Sequence, residues 1–298
     1  MAKLGWIGTG NMGTAMSLRL LEAGHELTVW ARNKGKLALI LEKGAREASS
    51  PAEVMRASEA VFLSVTDTAA VEELIFGREG LACGGSRGKL VIDHTTINPV
   101  RCREMAERLQ AETGMSLVDA PVSGGPAIAR EGNLTAVVGG TNEDVEQALP
   151  WIKAYAGKIT HMGPSGAGQA AKSCNQAIFS TTMAVWAEVL NYAHRFGIDA
   201  GKMVEALGGG TAESSVRQQV VPRMVNADYP NTSTKLIMKD IDIVCEVAGE
   251  THSPMPITSL VTNLYRMLIA QGHDRVGPAG IMRLYSDQPL KQQDPENS

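Results

Sequence analysis

From Lys3 to Gly163 the chain alternates between two hydrophobic periods, and that alternation limits its fold more than any other feature. Short runs of β-branched and apolar residues recur as KLGWI, ELTVWA, AVFLSV, KLVIDHT, MSLVDAPV and LTAVVGG. Helix-like segments separate most of them. NMGTAMSLRLLEAG is one, with Gly24 suited to its C-cap, and NPVRCREMAERLQAETG, ending at Gly114, is another. Strand and helix in turn predict an α/β domain with a mostly parallel, doubly wound sheet and helices on both faces.

Near Gly163 the pattern changes. One helical stretch runs from about Gln169 to Phe196 and ends at Gly197. Ile178, Phe179, Met183, Val185, Trp186, Val189 and Leu190 make it apolar nearly all round, which predicts burial on several sides, in a domain core or against another subunit. The segments that follow, GKMVEALGGG, TSTKLIMKDIDIVCEVAGE and ITSLVTNLYRMLIAQG, are helical, and no strand pattern appears among them. The expected organisation is a Rossmann-type domain over 1–163, an interdomain helix over 164–196, an all-α domain over 197–290 and a polar tail over 291–298. A cleft is expected between the domains, walled by the long helix.

The length of 298 residues allows two domains and a sizeable core, and the 44% hydrophobic and 20% charged content is that of a globular protein. A net charge of −4 provides no general attraction to nucleic acid or to an acidic membrane. The apolar stretch from Ala177 to Leu190 is short for a bilayer span and contains Ser, Thr and Glu. Four cysteines without CxxC spacing read as reduced thiols of a cytoplasmic protein, and the start of the chain shows no targeting pattern. The six histidines include no pair at helical ligand spacing, so no metal site is predicted; His94 and His161, at strand ends, read as structural.

The glycines of WIGTGNMG fit GxGxxG where a strand meets a helix. Gly8 allows the tight turn, Gly10 lets the backbone approach a pyrophosphate, and Gly13 lets helix and strand pack closely. The helix N-terminus adds amide donors and partial positive charge. After the second strand an NAD enzyme carries Asp or Glu for the ribose hydroxyls. Here that place holds Ala31, followed by Arg32, Asn33, Lys34 and Lys36. With no carboxylate to repel a 2′-phosphate and an arginine to bind one, NADP(H) is favoured over NAD(H). A run of solvated loop charges is the alternative.

Three further stretches bear on the chemistry. A strand ending at Val122 leads into Ser123, Gly124 and Gly125, where free amides and a hydroxyl suit a carboxylate or carbonyl oxygen; a capped loop turn is the plain alternative. GPSGAGQAAKSCNQ opens the long helix and carries Lys172, with Asn175 and Gln176 three and four residues later on one face. A buried lysine has its pKa lowered toward the range useful for proton transfer, whereas a snorkelling one stays ordinary. Cys174 points away from that face and reads as a packing residue. Lys239-Asp240 fits either a structural ion pair or a cation at the cofactor with a carboxylate beside it.

Taken together, WIGTGNMGTAM, DAPVSGGPAIAREGNL, GAGQAAKSCNQ and LIMKDIDI resemble, in order, the motifs of the β-hydroxyacid dehydrogenase family, over Leu4 to about Tyr285. That family includes 3-hydroxyisobutyrate dehydrogenases and the tartronate, glyoxylate and succinic semialdehyde reductases. The resemblance implies a C-terminal domain of the 6-phosphogluconate dehydrogenase type and hydride transfer between a nicotinamide and a small carboxylate-bearing aldehyde or alcohol. It implies that Gly8, Thr9, Gly10, Asn11 and Met12 wrap the pyrophosphate, and that Arg32, Asn33 and Lys36 match the pattern of NADPH-using members. Val65, Thr66 and Thr96 would line the cofactor, with Lys239 over the nicotinamide. Ser123, Gly124 and Gly125 would hold substrate, Lys172 would be the catalytic acid/base, and Asn175 would orient substrate. Thr9 stands for the usual leucine, Thr66 for a proline, and Pro126 where several semialdehyde reductases have Glu. AIAREGNL is closer to the NAD-dependent 3-hydroxyisobutyrate branch, which is the alternative assignment. An imine reductase, which generally replaces the lysine, and a non-catalytic nucleotide sensor are further alternatives. Association into a homodimer or homotetramer is expected from the apolar helix.

Overall fold

The computed structural model describes residues 1–286 and 288–290, so the polar tail expected over 291–298 lies outside the described residues. The chain divides into two compact units, one over Met1–Lys172 and one beginning at Ser173.

The first unit is built on one sheet of nine strands: β1 (Lys3–Ile7), β2 (Glu26–Trp30), β3 (Arg46–Glu47), β4 (Ala60–Leu63), β5 (Leu90–Asp93), β6 (Ser116–Asp119), β7 (Val122–Ser123), β8 (Leu134–Gly139) and β9 (Ala156–Gly163). Its path β3-β2-β1-β4-β5-β6 is parallel throughout. This is the dinucleotide-binding strand order, whose direction reverses between β1 and β4, and ligands bind at the carboxyl ends of the strands there. The expected α/β class and doubly wound sheet are therefore present. Beyond β6 the pattern departs from parallel: β8 runs antiparallel to β6 and β7, and β9 runs parallel to β8.

Strands β1, β4 and β5 are buried almost throughout because the sheet is covered on both faces there. Along each strand, alternate residues enter different cores. Leu4, Trp6, Phe62, Ile92 and Val118 join one cluster, while Ile7, Val61, Leu63, Val91 and Leu117 join the other. The helix Pro99–Thr113 begins on a cap in which Asn98 Oδ1 accepts from the Val100 and Arg101 amides, and it ends on Gly114 at φ +73°. Both boundaries agree with those expected.

β9 was not expected as a strand. Of AGKITHMG only Ala156 is buried, so the run lacks the apolar alternation that marks a strand. It is a strand because β8 offers it a parallel ladder from Leu134 to Gly139.

The second unit is helical, with no strand among its described residues. Its core gathers Met183, Trp186 and Leu190 with Val221, Ile241, Tyr265 and Leu268. The helices Ala200–Ala206, Thr234–Glu250 and Pro256–Ala270 stand where expected. The short helices Ser215–Gln219 and Val221–Asn226 were not anticipated.

The long helix spans Ala167–Arg195. Within one chain the helix is buried on one side and exposed on the other. Met183, Ala184, Trp186, Ala187 and Leu190 form one buried face, but Ile178 is 68% exposed, Val185 53%, Tyr192 69% and Phe196 73%. Among the described residues no helix is long and apolar enough to cross a membrane.

Candidate active site

The turn after β1 meets the steric demands of a dinucleotide loop. Gly8 lies at φ +104°, and a methyl group there would collide with the carbonyl oxygen of Ser64. A methyl on Gly13 would strike the Gly8 carbonyl, so the helix Asn11–Glu22 can seat against the turn only with glycine there. Gly10 differs: a methyl there meets nothing within 4 Å, and Gly10 as N-cap has no side-chain capping bond. The open side and the uncapped amides of Asn11 and Met12 fit the approach of a pyrophosphate. The Thr9 hydroxyl oxygen is buried without a protein hydrogen-bond partner, as a group awaiting a ligand or water would be. Below the turn, the Trp6 indole donates to the Gly8 carbonyl at 2.9 Å. Met12 is partly buried and packs against the core.

After β2, Arg32, Asn33 and Lys36 are all exposed. Asn33 Oδ1 accepts from the Gly35 amide at 3.1 Å and caps the 3-10 turn Lys34–Leu37. Lys34 pairs with Glu47 on β3 at 2.8 Å, so that carboxylate faces a cation.

Beyond β4 and β5, the Val65 amide donates to Thr95 Oγ1 at 3.0 Å. Thr66 donates to Asp67 Oδ2 at 2.7 Å, and Asp67 caps the helix Thr68–Phe76 through the Ala70 amide at 2.9 Å. Thr96 is half-buried in the same loop. Val65 and Thr66 follow β4, which borders the switch point with β1, and Thr96 follows β5, the strand beside β4.

His94, at the end of β5, is buried in an aromatic cluster with Trp6, Phe62 and Tyr155. Its Nδ1 lies 2.6 Å from the Ala120 carbonyl and its Nε2 2.8 Å from the Tyr155 hydroxyl. A neutral ring protonated on Nδ1 satisfies both contacts, and burial pushes its pKa down to about 4. The structural role read for His94 is the one found. Among the described residues no cluster of His, Cys, Asp and Glu could hold a metal ion.

Of the residues expected to carry the chemistry, the structure brings Lys172 and Ser123 together. Lys172 is only 8% exposed, and its Nζ donates to the Val122 carbonyl at 3.0 Å and to Ser123 Oγ at 2.9 Å. The turn beside it needs glycine, with Gly124 at φ +135° and Gly125 at φ +83°. A methyl at Gly125 would meet nothing within 4 Å, whereas one at Gly124 would crowd Leu134 and Ile128. The buried lysine and the serine-glycine loop, weak signals separately, thus share one hydrogen-bonded place.

In the second unit a separate polar chain forms. The exposed Asn175 donates to Gln176 Oε1 at 3.0 Å, and the buried Gln176 donates to Asp240 Oδ2 at 2.6 Å. Asp240 pairs with Lys239 at 3.1 Å. Of the two readings offered for Lys239-Asp240, the structural ion pair is present, and it is tied to the helix amides through Gln176. Cys174 is exposed.

Sequence reasoning passed over two residues of the first unit. Gln169 is fully buried and Asp119 is a fully buried carboxylate at the end of β6. Asp119 accepts from the Gly166 amide at 2.7 Å and the Gln169 amide at 2.8 Å, capping the first turn of the long helix. Burial raises its pKa, against the pull of these amides. Asp closing a strand and glycines opening a helix were both visible, but their meeting is a tertiary fact.

The chain matches two known family models that together cover most of its length. Residues 3–163 match the family described as the NAD binding domain of 6-phosphogluconate dehydrogenase. Residues 166–285 match the NAD-binding family of NADP-dependent 3-hydroxyisobutyrate dehydrogenase. A probable mitochondrial 3-hydroxyisobutyrate dehydrogenase-like protein of Arabidopsis thaliana is 36% identical, over 94% of this chain and 92% of its own. The 2-hydroxy-3-oxopropionate reductase of Escherichia coli (strain K12) is 32% identical, over 94% of this chain and 96% of its own. Among solved structures, the 3-hydroxyisobutyrate dehydrogenase of Mycobacterium tuberculosis with L-serine aligns at a TM-score of 0.87 and 27% identity, over 95% of this chain and 99% of that one. On the family matches and the full-length relatives, the chain belongs to the β-hydroxyacid dehydrogenase family and is an NAD(P)-dependent oxidoreductase acting on hydroxyl groups.

Proposed function

We propose that the chain interconverts a small carboxylate-bearing aldehyde and its alcohol using NADP(H), with Lys172 as the general acid and base. One observation carries the reading: the Lys172 amine is buried and held within hydrogen-bond reach of Ser123, beside a glycine turn with open space. The cofactor, when bound, supplies or accepts the hydride. In the reducing direction the Lys172 ammonium gives a proton to the oxygen of the substrate carbonyl. In the oxidising direction the neutral amine takes the hydroxyl proton. Ser123 and the amides of Gly124 and Gly125 orient the substrate carboxylate or oxygen, with Asn175 holding the substrate from the later part of the helix. Gly8, Thr9, Gly10, Asn11, Met12, Val65, Thr66 and Thr96 bind the cofactor, joined by Lys239.

NADP(H) is favoured because the loop after β2 presents exposed Arg32 and Lys36 and no carboxylate of its own. The relatives' names, covering a 3-hydroxy acid dehydrogenase and a 3-oxo acid reductase, support a three- or four-carbon β-hydroxy acid or semialdehyde. The exposed apolar side of the long helix supports association into a homodimer or homotetramer, and four unpaired thiols suit the reducing cytoplasm.

The test is an initial-rate panel of small semialdehydes and β-hydroxy acids with NADPH and with NADH, on wild type and Lys172→Ala. Turnover of Lys172→Ala is expected to fall by about 10²–10⁴-fold with cofactor binding retained. Wild-type turnover in that variant removes Lys172 from the chemistry, and a clear preference for NADH assigns the NAD-dependent branch instead.

A further inference from the structure

The side-chain amide of Gln169 makes two bonds to one loop, and they bracket a single residue. Its Nε2 donates to the Thr95 carbonyl at 2.7 Å, and its Oε1 accepts from the Ile97 amide at 3.1 Å. Between those backbone groups sits Thr96, the cofactor-side threonine. The same loop is joined to Val65, since the Val65 amide donates to Thr95 Oγ1. The backbone of Gln169 is gripped in turn, its amide donating to Asp119 Oδ2 at 2.8 Å while the Gly166 amide donates to Oδ1 at 2.7 Å. Asp119 lies only a few residues before Val122 and Ser123, the two groups that hold the Lys172 amine. Lys172 follows Gln169 by three residues, about one helical turn.

This place is built for those two side chains. A methyl on Gly139 would collide with the Asp119 carboxylate, and one on Gly168 would come within 2.8 Å of its Oδ2. Gln169 and Asp119 are each 0% exposed. Among side chains of this length in their ordinary charge state at neutral pH, glutamine alone offers one donor and one acceptor to a carbonyl and an amide spaced this way. Glutamate ionised lacks the donor, methionine lacks both, and asparagine is a methylene short.

We propose that Gln169, seated on Asp119, is the positioning residue that sets Lys172 relative to the Thr96 loop, so that the proton donor and the cofactor's contact loop hold one fixed spacing. The proposal rests on Lys172 being the acid and base. Gln169 itself touches no substrate in this scheme; it acts through Lys172 and Thr96. Misplacement of a reacting group by about 1 Å costs on the order of 10²-fold in rate, which is the scale expected here.

The experiment is a double-mutant cycle read by kcat and by NADPH affinity, the latter from fluorescence titration without substrate. Gln169→Met is expected to lower kcat by about 10–100-fold and to weaken NADPH binding several-fold, with the fold intact by circular dichroism. In the Lys172→Ala background the same change should cost less than about twofold, because the group it positions is gone. Equal losses in both backgrounds mean general damage and overturn the proposal, as does wild-type kcat in folded Gln169→Met. Wild-type kcat in Lys172→Ala alone instead overturns the acid/base reading beneath it. If Gln169→Met does not fold, Gln169→Glu carries the test. A protonated carboxyl can replace both bonds of the amide, so its kcat relative to wild type should rise as pH falls. A constant ratio across pH overturns the proposal.

Discussion

At the scale of single residues, Trp6 shows how a core side chain reaches a binding loop. Its ring stacks on Phe62 at 5.4 Å between centroids, and its indole donates to the Gly8 carbonyl inside the dinucleotide turn. Trp6→Phe keeps an aromatic ring but leaves that carbonyl without its donor. A loss of about 1–2 kcal/mol in urea unfolding is expected, together with weaker NADPH binding by fluorescence titration. Unchanged stability and affinity would show that the bond contributes nothing. Arg32 supplies a second prediction. If it meets a 2′-phosphate, Arg32→Ala should weaken NADPH binding by about tenfold or more and leave NADH binding within about twofold, a charge-assisted hydrogen bond being worth roughly 1.5–3 kcal/mol. Equal losses for both cofactors would place Arg32 away from that phosphate. Trp6 stood in plain sight as an apolar strand residue, but its bond to Gly8 depends on how β1 bends into the turn, which no single-residue signal carries.

At the scale of elements, the long helix joins two different surfaces. Ile178, Val185 and Tyr192 repeat every seven residues along its exposed side, and Tyr192 stacks on Phe196 at 6.3 Å. A stripe of this spacing is the pattern by which helices pack knobs into holes against one another. If subunits join through this face, Val185→Glu and Tyr192→Glu together leave a monomer by light scattering where wild type gives a larger mass. An unchanged mass would show that this face does not join subunits. The periodicity of the helix was legible in the sequence, and so were its ends. Which of its apolar residues are covered was not, because an all-round apolar pattern holds no directional information. β9 is the opposite case: its sequence carries almost no strand signal, and pairing to β8 alone makes it one.

At the scale of the whole molecule, the His94 cluster makes folding stability depend on pH. The ring is held neutral between the Ala120 carbonyl and the Tyr155 hydroxyl, with its pKa lowered to about 4. In the unfolded chain an ordinary histidine titrates near 6.5. Between these values the unfolded state takes up a proton that the folded state refuses, so stability is full above about pH 6.5 and falls as pH drops toward 4. Wild type should lose about 2 kcal/mol more than His94→Gln between pH 7 and pH 5 in urea unfolding. Equal losses would show that His94 is not the group responsible.

The sequence by itself determined the α/β class, the dinucleotide turn, the helical second half and the separate stretches that carry Ser123 and Lys172. These are local matters: hydrophobic period, turn chemistry and glycine spacing act over a few residues. Only the tertiary structure decided that Lys172 bonds to Ser123, that Asp119 and Gln169 fasten the start of the long helix to the Thr96 loop, and that β9 is a strand. Those contacts join residues far apart in the chain, and a buried polar group's partner is chosen by which atoms the packed sheet and helix leave within reach, a quantity set by the whole fold.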